Sequence, residues 1–400
     1  MVGDGPTTWG TKLLCFVLSN MAVVRKRRAT EKTWDVAWRI LCWSMEALAR
    51  GKWPSTDWQG KPFEDWRQHR TGPLCGPYKF AWMQLAADMD ELSNSYGLEH
   101  FNSRTPCFVC NCNDADIPWT DLSPLALWRT TPRTNMEWFL REKHHIFRSP
   151  AIGLTRHHVC LCMFHCIDGG ICETICGSTI FLLVWDAGLP GSLEDRIETV
   201  YLGLTQAYDA LGTSAGERVP HDKFLDVFEN RRSESPTSDP DLNCKAAIVR
   251  HSVHALRLVL DALTTGHREF EHVKALICHL ERFYDITATA GNFLTPTEAA
   301  EARNSLQAVG AHHQFLCDKY MAMHRPLFRV KIKAHMVQHI ADYCVYFNPH
   351  AGWTYSDEDY MGKLSRIATE CLAGRGPMRI GKAIFDRWCK LMDLRWKRLE

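Results

Sequence analysis

Two short motifs in this sequence carry residues of the types that bind metal ions. Cys107 and Cys110 form a CxxC motif, and His335 and His339 form an HxxxH motif that begins 225 residues after Cys110. Cysteines at i and i+3 can present two thiolates from one turn, and histidines at i and i+4 can present two imidazoles from one helix face. The four side chains together predict a structural Zn²⁺ site.

A carboxylate lies at the same offset on the outer side of each motif. Asp88 comes 19 residues before Cys107, and Glu358 comes 19 residues after His339. Carboxylates suit hard cations, and two Mg²⁺ or Mn²⁺ ions held in this way can cleave a phosphodiester. A structural alternative stays open for each residue: Asp88 as a helix N-cap and Glu358 as a first-turn carboxylate that the helix dipole favours.

Neighbouring residues leave other ligand choices open. Cys112 is either not a ligand or a substitute for one of the two cysteines. A rival ligand set comprises Cys160, Cys162, His165 and Cys166. A metalloprotease site is excluded, because Met336 stands where the HExxH motif has its glutamate base.

The composition limits the classes of protein to consider. A chain of 400 residues predicts two or three structural units, and a formal net charge of +1 restricts nucleic-acid binding to local basic patches. The 17 cysteines without a signal peptide indicate reduced thiols inside the cell. We expect no membrane span, since the longest apolar stretches, 13–24 and 171–185, are short and interrupted by polar residues.

The sequence pattern around the motifs predicts both strands and helices, and so a mixed α/β fold. Apolar runs at 11–18 and 80–87 predict buried strands, and 328–332 predicts a short strand before the His335 helix. Helical periodicity extends from 193 to 325.

The C-terminal segment, residues 375–400, is predicted to be helical and basic. Arg379, Lys382, Arg387 and Lys390 keep spacings of three to five, so they can share one helix face and contact DNA phosphates. A solvated helix packed through its apolar side chains is a compatible alternative.

The order of these features resembles a known family. A strand ending at Asp88, CxxC, a helical insertion, HxxxH and Glu358 follow one another as in RNase H-like DDE transposases of the CACTA and Plavaka-like groups. The sequence is most similar to transposon-derived proteins abundant in dinoflagellate genomes. Further stretches carry the likeness: 43–62, 85–98, 106–111, 164–171, 333–339 and 357–363.

The resemblance implies an RNase H-like core that lacks its first strands and is interrupted by a large all-helical insertion. Residues 1–192 would hold the first part of the core and the CxxC turn, 193–325 the insertion, and 326–400 the rest of the core with HxxxH, Glu358 and the basic tail. It also implies two-metal cleavage and strand transfer on DNA, with Asp88 and Glu358 as catalytic residues, a nuclear location and a homodimer.

Two departures from the family pattern point to a truncated or decayed copy. The first catalytic Asp of the family is expected upstream of Met1, with Asp4 as the only nearby substitute, and the segment at Asp168 reads Asp-Gly-Gly instead of Asp-Leu-Gly. The sequence therefore leaves three hypotheses open: an incomplete transposase, a non-catalytic zinc-stabilised module that binds DNA or protein, and a helical protein with reduced thiols and no metal.

Overall fold

The computed structural model describes residues 33–396, except 75, 78, 80, 82–83, 114, 142–143, 150–151, 230–235, 237 and 373–376. The predicted strand at 11–18 and the substitute carboxylate Asp4 therefore lie outside the described residues.

The described residues are mainly helical. The α-helices are α1 (Thr33–Arg50), α2 (Met89–Asn94), α3 (Asn135–Arg141), α4 (His145–Arg148), α5 (Cys172–Asp186), α6 (Leu193–Ala210), α7 (His221–Asp226), α8 (Ala246–Leu263), α9 (Glu271–Thr289), α10 (Pro296–Ala322), α11 (Ile332–Tyr343), α12 (Tyr355–Leu372) and α13 (Pro377–Trp396). A π-helix, Phe164–Ile171, leads into α5. Short 3₁₀ helices lie at Trp66–His69, Leu127–Thr130, Arg156–His158, Ala215–Glu217, Arg268–Phe270 and Pro349–Gly352.

The expected mixed α/β fold with an RNase H-like core is wrong. Within the described ranges the only sheet pairs two three-residue strands in parallel, β1 (Leu85–Ala87) with β2 (Val159–Leu161). The predicted strand at 328–332 does not form, because Phe328 adopts a φ of 53° and α11 begins at Ile332. Short apolar runs do not distinguish a strand from a buried helix, and here the apolar residues pack mostly helix on helix.

The chain divides into two compact units. Unit 1 comprises residues 1–83, 139–155 and 354–400, and unit 2 comprises 84–138 and 156–353. The predicted helical segment 193–325 lies within unit 2, together with the CxxC and HxxxH motifs. The division proposed from the sequence, at residues 192 and 325, stays a prediction.

Helix α5 forms the centre of unit 2. It is apolar on all sides, and twelve of its fifteen residues are buried. It packs against α6 and α8, while α9 packs on α8 and α10, and α10 packs on α11. Capping boxes, Ser192 with Asp195 and Thr295 with Glu298, fix where α6 and α10 begin.

One described helical stretch, Phe164–Asp186, is long and apolar enough by composition to cross a bilayer. Its most apolar window is 89% buried inside the protein, and a core helix meets the same criterion. The expectation that the chain has no membrane span stays a prediction.

Close packing on α5 depends on a glycine. A Cβ built on Gly177 would lie 1.7 Å from the carbonyl oxygen of Pro240. In α6, a Cβ on Gly203 would meet Val259 at an ordinary distance of 3.6 Å.

We therefore expect opposite effects of alanine at these two glycines. Gly177→Ala should lower the free energy of unfolding by about 1–3 kcal/mol, since the main chain at Pro240 must move. Gly203→Ala should leave it unchanged or raise it by up to about 1 kcal/mol, because alanine favours helix. Urea unfolding followed by circular dichroism measures both, and equal effects would contradict this account of the α5 packing.

Candidate metal centre

The CxxC turn lies in unit 2 and is shaped by its own main chain. Val109 N–H donates to the Cys107 Sγ at 3.2 Å, and Asn111 N–H donates to the Thr131 carbonyl at 3.0 Å. Cys110 also forms an isolated antiparallel bridge with Pro132. These contacts point both thiols to one side of the turn.

Arg133 holds the turn from within the core. Its side chain is 1% exposed, its Nη2 donates to the Cys107 carbonyl at 2.7 Å, and its Nη1 pairs with Glu99. Its main-chain N–H donates to the Val109 carbonyl at 2.9 Å. No sequence motif marks Arg133, because an arginine with these roles is recognised only from its burial.

The two histidines lie on successive turns of α11, which is buried along most of its length. Gln338 Nε2 donates to the Leu306 carbonyl on α10 at 2.9 Å, and Lys333 Nζ donates to the Gly169 carbonyl in the π-helix at 2.6 Å. These contacts fix α11 between two neighbouring helices, so the imidazoles face the CxxC turn.

The four side chains meet at one point. The Cys107 Sγ lies 3.4 Å from the His339 Nε2, the Cys110 Sγ lies 3.4 Å from the His335 Nε2, and the two Nε2 atoms are 3.1 Å apart. All four ligand atoms lie within 4.8 Å of one another. A tetrahedral Zn²⁺ with standard bond lengths requires about 3.6 Å between sulfur and nitrogen and about 3.3 Å between two nitrogens.

All four ligands are buried, with at most 4% exposure at His339. Among the described residues they form the one group of three or more His, Cys, Asp or Glu side chains that can hold a metal. The structure thus shows a buried Cys₂His₂ cluster that can bind a metal ion such as zinc.

The charges of the cluster are coupled. Burial raises the pKa of the Cys107 thiol, but hydrogen bonds from Cys110 and Cys112 and the charges of the histidines outweigh it, so its pKa falls well below the usual value. Burial lowers the pKa of His339, yet the Cys107 thiolate and Asp342 raise it to about 9. Hydrogen bonding to Cys107 and Cys112 raises the pKa of Cys110. A divalent cation would displace the protons of this cluster. The affinity of the cluster for the cation therefore falls as the pH is lowered.

Groups around the ligands also suit a metal centre. The Trp128 ring packs edge-on against both imidazoles, with centroids 4.3 Å from His335 and 5.1 Å from His339. An Asp342 carboxylate oxygen lies 3.9 Å from the His339 Nδ1. Carboxylates in this position orient metal-bound histidines.

The remaining candidate residues, which are the other thiols and Asp168, are not among the four ligands of the cluster. Cys112 is buried beside the cluster, whereas the rival set at 160–166 forms no such group among the described residues. Asp168 is fully buried in the π-helix, where its Oδ1 accepts a hydrogen bond from Tyr284 at 2.5 Å.

The two predicted catalytic carboxylates lie in different units. Asp88 is the N-cap of α2, and its Oδ1 accepts the Glu91 N–H at 2.6 Å. Glu358 belongs to α12 in unit 1, and its side chain lies outside the described part. A catalytic pair of these residues stays a prediction.

The four basic residues predicted to bind DNA are exposed on α13. Lys382 pairs with Asp386 at 2.5 Å, and Arg387 pairs with Glu370. The opposite face buries Ile380, Ile384 and Trp388 against α12. The helix thus presents the four basic residues to solvent and packs through other, apolar side chains, and the binding of DNA by these four residues stays a prediction.

No family model, curated protein or solved structure matches this chain. The transposase resemblance therefore rests on the order of motifs alone.

Two cysteines of one turn provide a matched test of the ligand assignment. Cys110→Ser should abolish stoichiometric metal binding because it removes a ligand, whereas Cys112→Ser should keep one ion per chain. Both thiols are fully buried, so burial does not separate the two variants. Mass spectrometry measures the metal content of each variant. Equal loss of metal in both variants would refute the assignment of Cys110 over Cys112.

Proposed function

We propose that this protein is a zinc-stabilised module that binds nucleic acid, with DNA as its ligand, and does not cleave it. The observation that carries the proposal is the closed Cys₂His₂ cluster, whose ligands come from a turn and a helix more than 200 residues apart.

The donor set favours Zn²⁺ over other ions. Two thiolates and two imidazoles at tetrahedral spacing suit Zn²⁺, whereas Mg²⁺ and Ca²⁺ require oxygen ligands. Four buried protein ligands leave no position for water, which is typical of a structural site and not of a catalytic one. The role proposed for zinc is to tie the CxxC turn to α11.

A basic cleft in unit 1 supports nucleic-acid binding. It has a volume of about 660 Å³, and no acidic residue is among the described residues that line it. Its cations are Arg50, Lys52, Arg70 and Lys79. The Arg70 guanidinium lies 5.3 Å from the Trp53 ring centroid, and Trp53 also lines the cleft. Trp53 is half-buried, and cations beside an indole are the elements with which proteins bind phosphates and stack bases.

The exposed basic face of α13 is a second, weaker contribution. Two of its four cations already pair with carboxylates, so their attraction for phosphate is reduced.

The non-catalytic part of the proposal rests on Asp88. Its carboxylate is engaged as a helix cap, and Mg²⁺ or Mn²⁺ catalysis would require it as a ligand. A transposase ancestry, a nuclear location and a homodimer belong to the same proposal and rest on the resemblance.

Chelation tests the structural zinc. Removing the ion from the full chain should lower the melting temperature, since the buried thiolates and imidazoles lose their common partner. One equivalent of Zn²⁺ should restore it, and Mg²⁺ should not. A melting temperature that is insensitive to chelation, or restored by Mg²⁺, would argue against a structural zinc.

Paired substitutions test the cleft. Lys52→Gln with Arg70→Gln should weaken the binding of a short DNA and reduce the slope of log affinity against log salt by roughly 1.5, as expected for two lost phosphate contacts. Lys61→Gln with Arg67→Gln removes the same charge outside the cleft, where Arg67 pairs with Asp65 at 2.7 Å, and should leave both the affinity and the slope unchanged. Fluorescence anisotropy measures the binding.

Equal weakening in the two double variants would remove the cleft from the proposal. Nicking of the DNA in Mg²⁺ or Mn²⁺ that is lost in Glu358→Gln would instead favour an active transposase.

A further inference from the structure

A smaller cavity of about 270 Å³ lies against the metal cluster in unit 2. The His339 side chain lines it, and so do three arginines: Arg129, Arg156 and Arg303. Asp342 is the single carboxylate among the described residues that line it. The walls therefore carry a clear excess of positive charge in a chain that is nearly neutral as a whole.

Arg129 is fixed in place by its own hydrogen bonds. Its Nε donates to the Ser123 carbonyl at 2.9 Å, and its Nη2 donates to the Gln338 Oε1 at 2.8 Å. The guanidinium also stacks on Trp128, 4.4 Å from the ring centroid. It is thus a preorganised cation at the cavity wall.

Arg156 is less well satisfied. Its Nη1 makes a long contact of 3.5 Å with the Val109 carbonyl, and its buried Nε has no hydrogen-bond partner among the described residues. A buried donor that lacks a partner is costly and calls for a ligand, ion or water.

Arg303 completes the set from α10. It is 47% exposed at its side chain and lies 3.5 Å from Asp342, which also lies 3.9 Å from the His339 Nδ1. Burial and the charge of Arg156 lower the pKa of His157, which also lines the cavity.

We propose that this cavity binds a phosphate group, held between the guanidinium groups of Arg156 and Arg303. Arginine forks match the oxygens of phosphate and form charge-assisted hydrogen bonds with them. The volume lies below the roughly 300–1,000 Å³ of pockets for drug-sized ligands, so a single phosphate group is the appropriate size. The group belongs to a free phosphate or small phosphorylated molecule, or to a nucleic-acid backbone.

Calorimetric titration of the zinc-loaded full chain with inorganic phosphate in 0.15 M NaCl tests the site. We expect saturable binding of one phosphate, weakened about tenfold or more in Arg303→Gln and in Arg156→Gln, since each loses a charge-assisted contact. Arg329→Gln is the matched control, because Arg329 is also exposed, lies 3.9 Å from one aspartate and does not line the cavity.

Absence of saturable binding would overturn the proposal, and so would equal weakening in Arg329→Gln and Arg303→Gln. Zinc content and melting temperature should stay at the wild-type level in Arg303→Gln. This variant therefore tests phosphate binding even if Arg156→Gln fails to fold. A DNA oligonucleotide without terminal phosphates that displaces inorganic phosphate would assign the site to a nucleic-acid backbone. Failure of that oligonucleotide to displace it would assign the site to a free phosphate or a small phosphorylated molecule.

The test is independent of the proposed nucleic-acid function. The paired variants at Lys52 and Arg70 should bind inorganic phosphate as the wild type does, so a failure of the basic cleft leaves the cavity standing. Loss of phosphate binding without any change in zinc content would likewise leave the proposed zinc site intact.

Discussion

The contact between the CxxC turn and α11 is the constraint on which the site depends. Cys107 and His339 are 232 residues apart, yet their ligand atoms approach to 3.4 Å in the core of unit 2. Closing so long a loop costs conformational entropy, although that cost grows only slowly with length. The larger cost is the burial of four titratable groups, which must be offset by strong mutual attraction or by a cation.

The surroundings of the cluster are consistent with this requirement. Arg133 supports the turn from behind, Gln338 ties α11 to α10, and Trp128 shields both imidazoles from solvent. At Gly310 in α10 an added Cβ would lie 2.4 Å from the Gln338 Nε2, so the absence of a side chain there lets the two helices approach. The histidines are thus held by packed helices and the cysteines by a turn that Arg133 stabilises, which favours a rigid structural role.

Positive charge is concentrated locally in a chain whose net charge is close to zero. The formal net charge is only +1, yet unit 1 has a basic cleft and unit 2 has an arginine-lined cavity. The cleft is lined by exposed cations and an indole, which suits an extended polyanion in water. The cavity is smaller, and its Arg156 Nε is buried with no hydrogen-bond partner in the part of the chain that the structure describes, which suits one well-defined anionic group.

The sequence by itself identified the two ligand pairs, because cysteine and histidine at i+3 and i+4 spacing present paired ligands through local geometry alone. Only the tertiary structure brought the pairs together and separated them from the rival set at 160–166. The sequence also predicted that 193–325 is helical and that α13 is amphipathic, because helical periodicity is a local property. It did not determine the fold class: among the described residues of the run at 80–87 only Leu85–Ala87 form a strand, and Phe328, with a φ of 53°, lies outside any strand. Whether an apolar run becomes strand or helix depends on the surface against which it is buried. The roles of Arg133, Arg156 and Arg303 were likewise decided by tertiary structure, because burial and charge balance arise only when distant segments pack together.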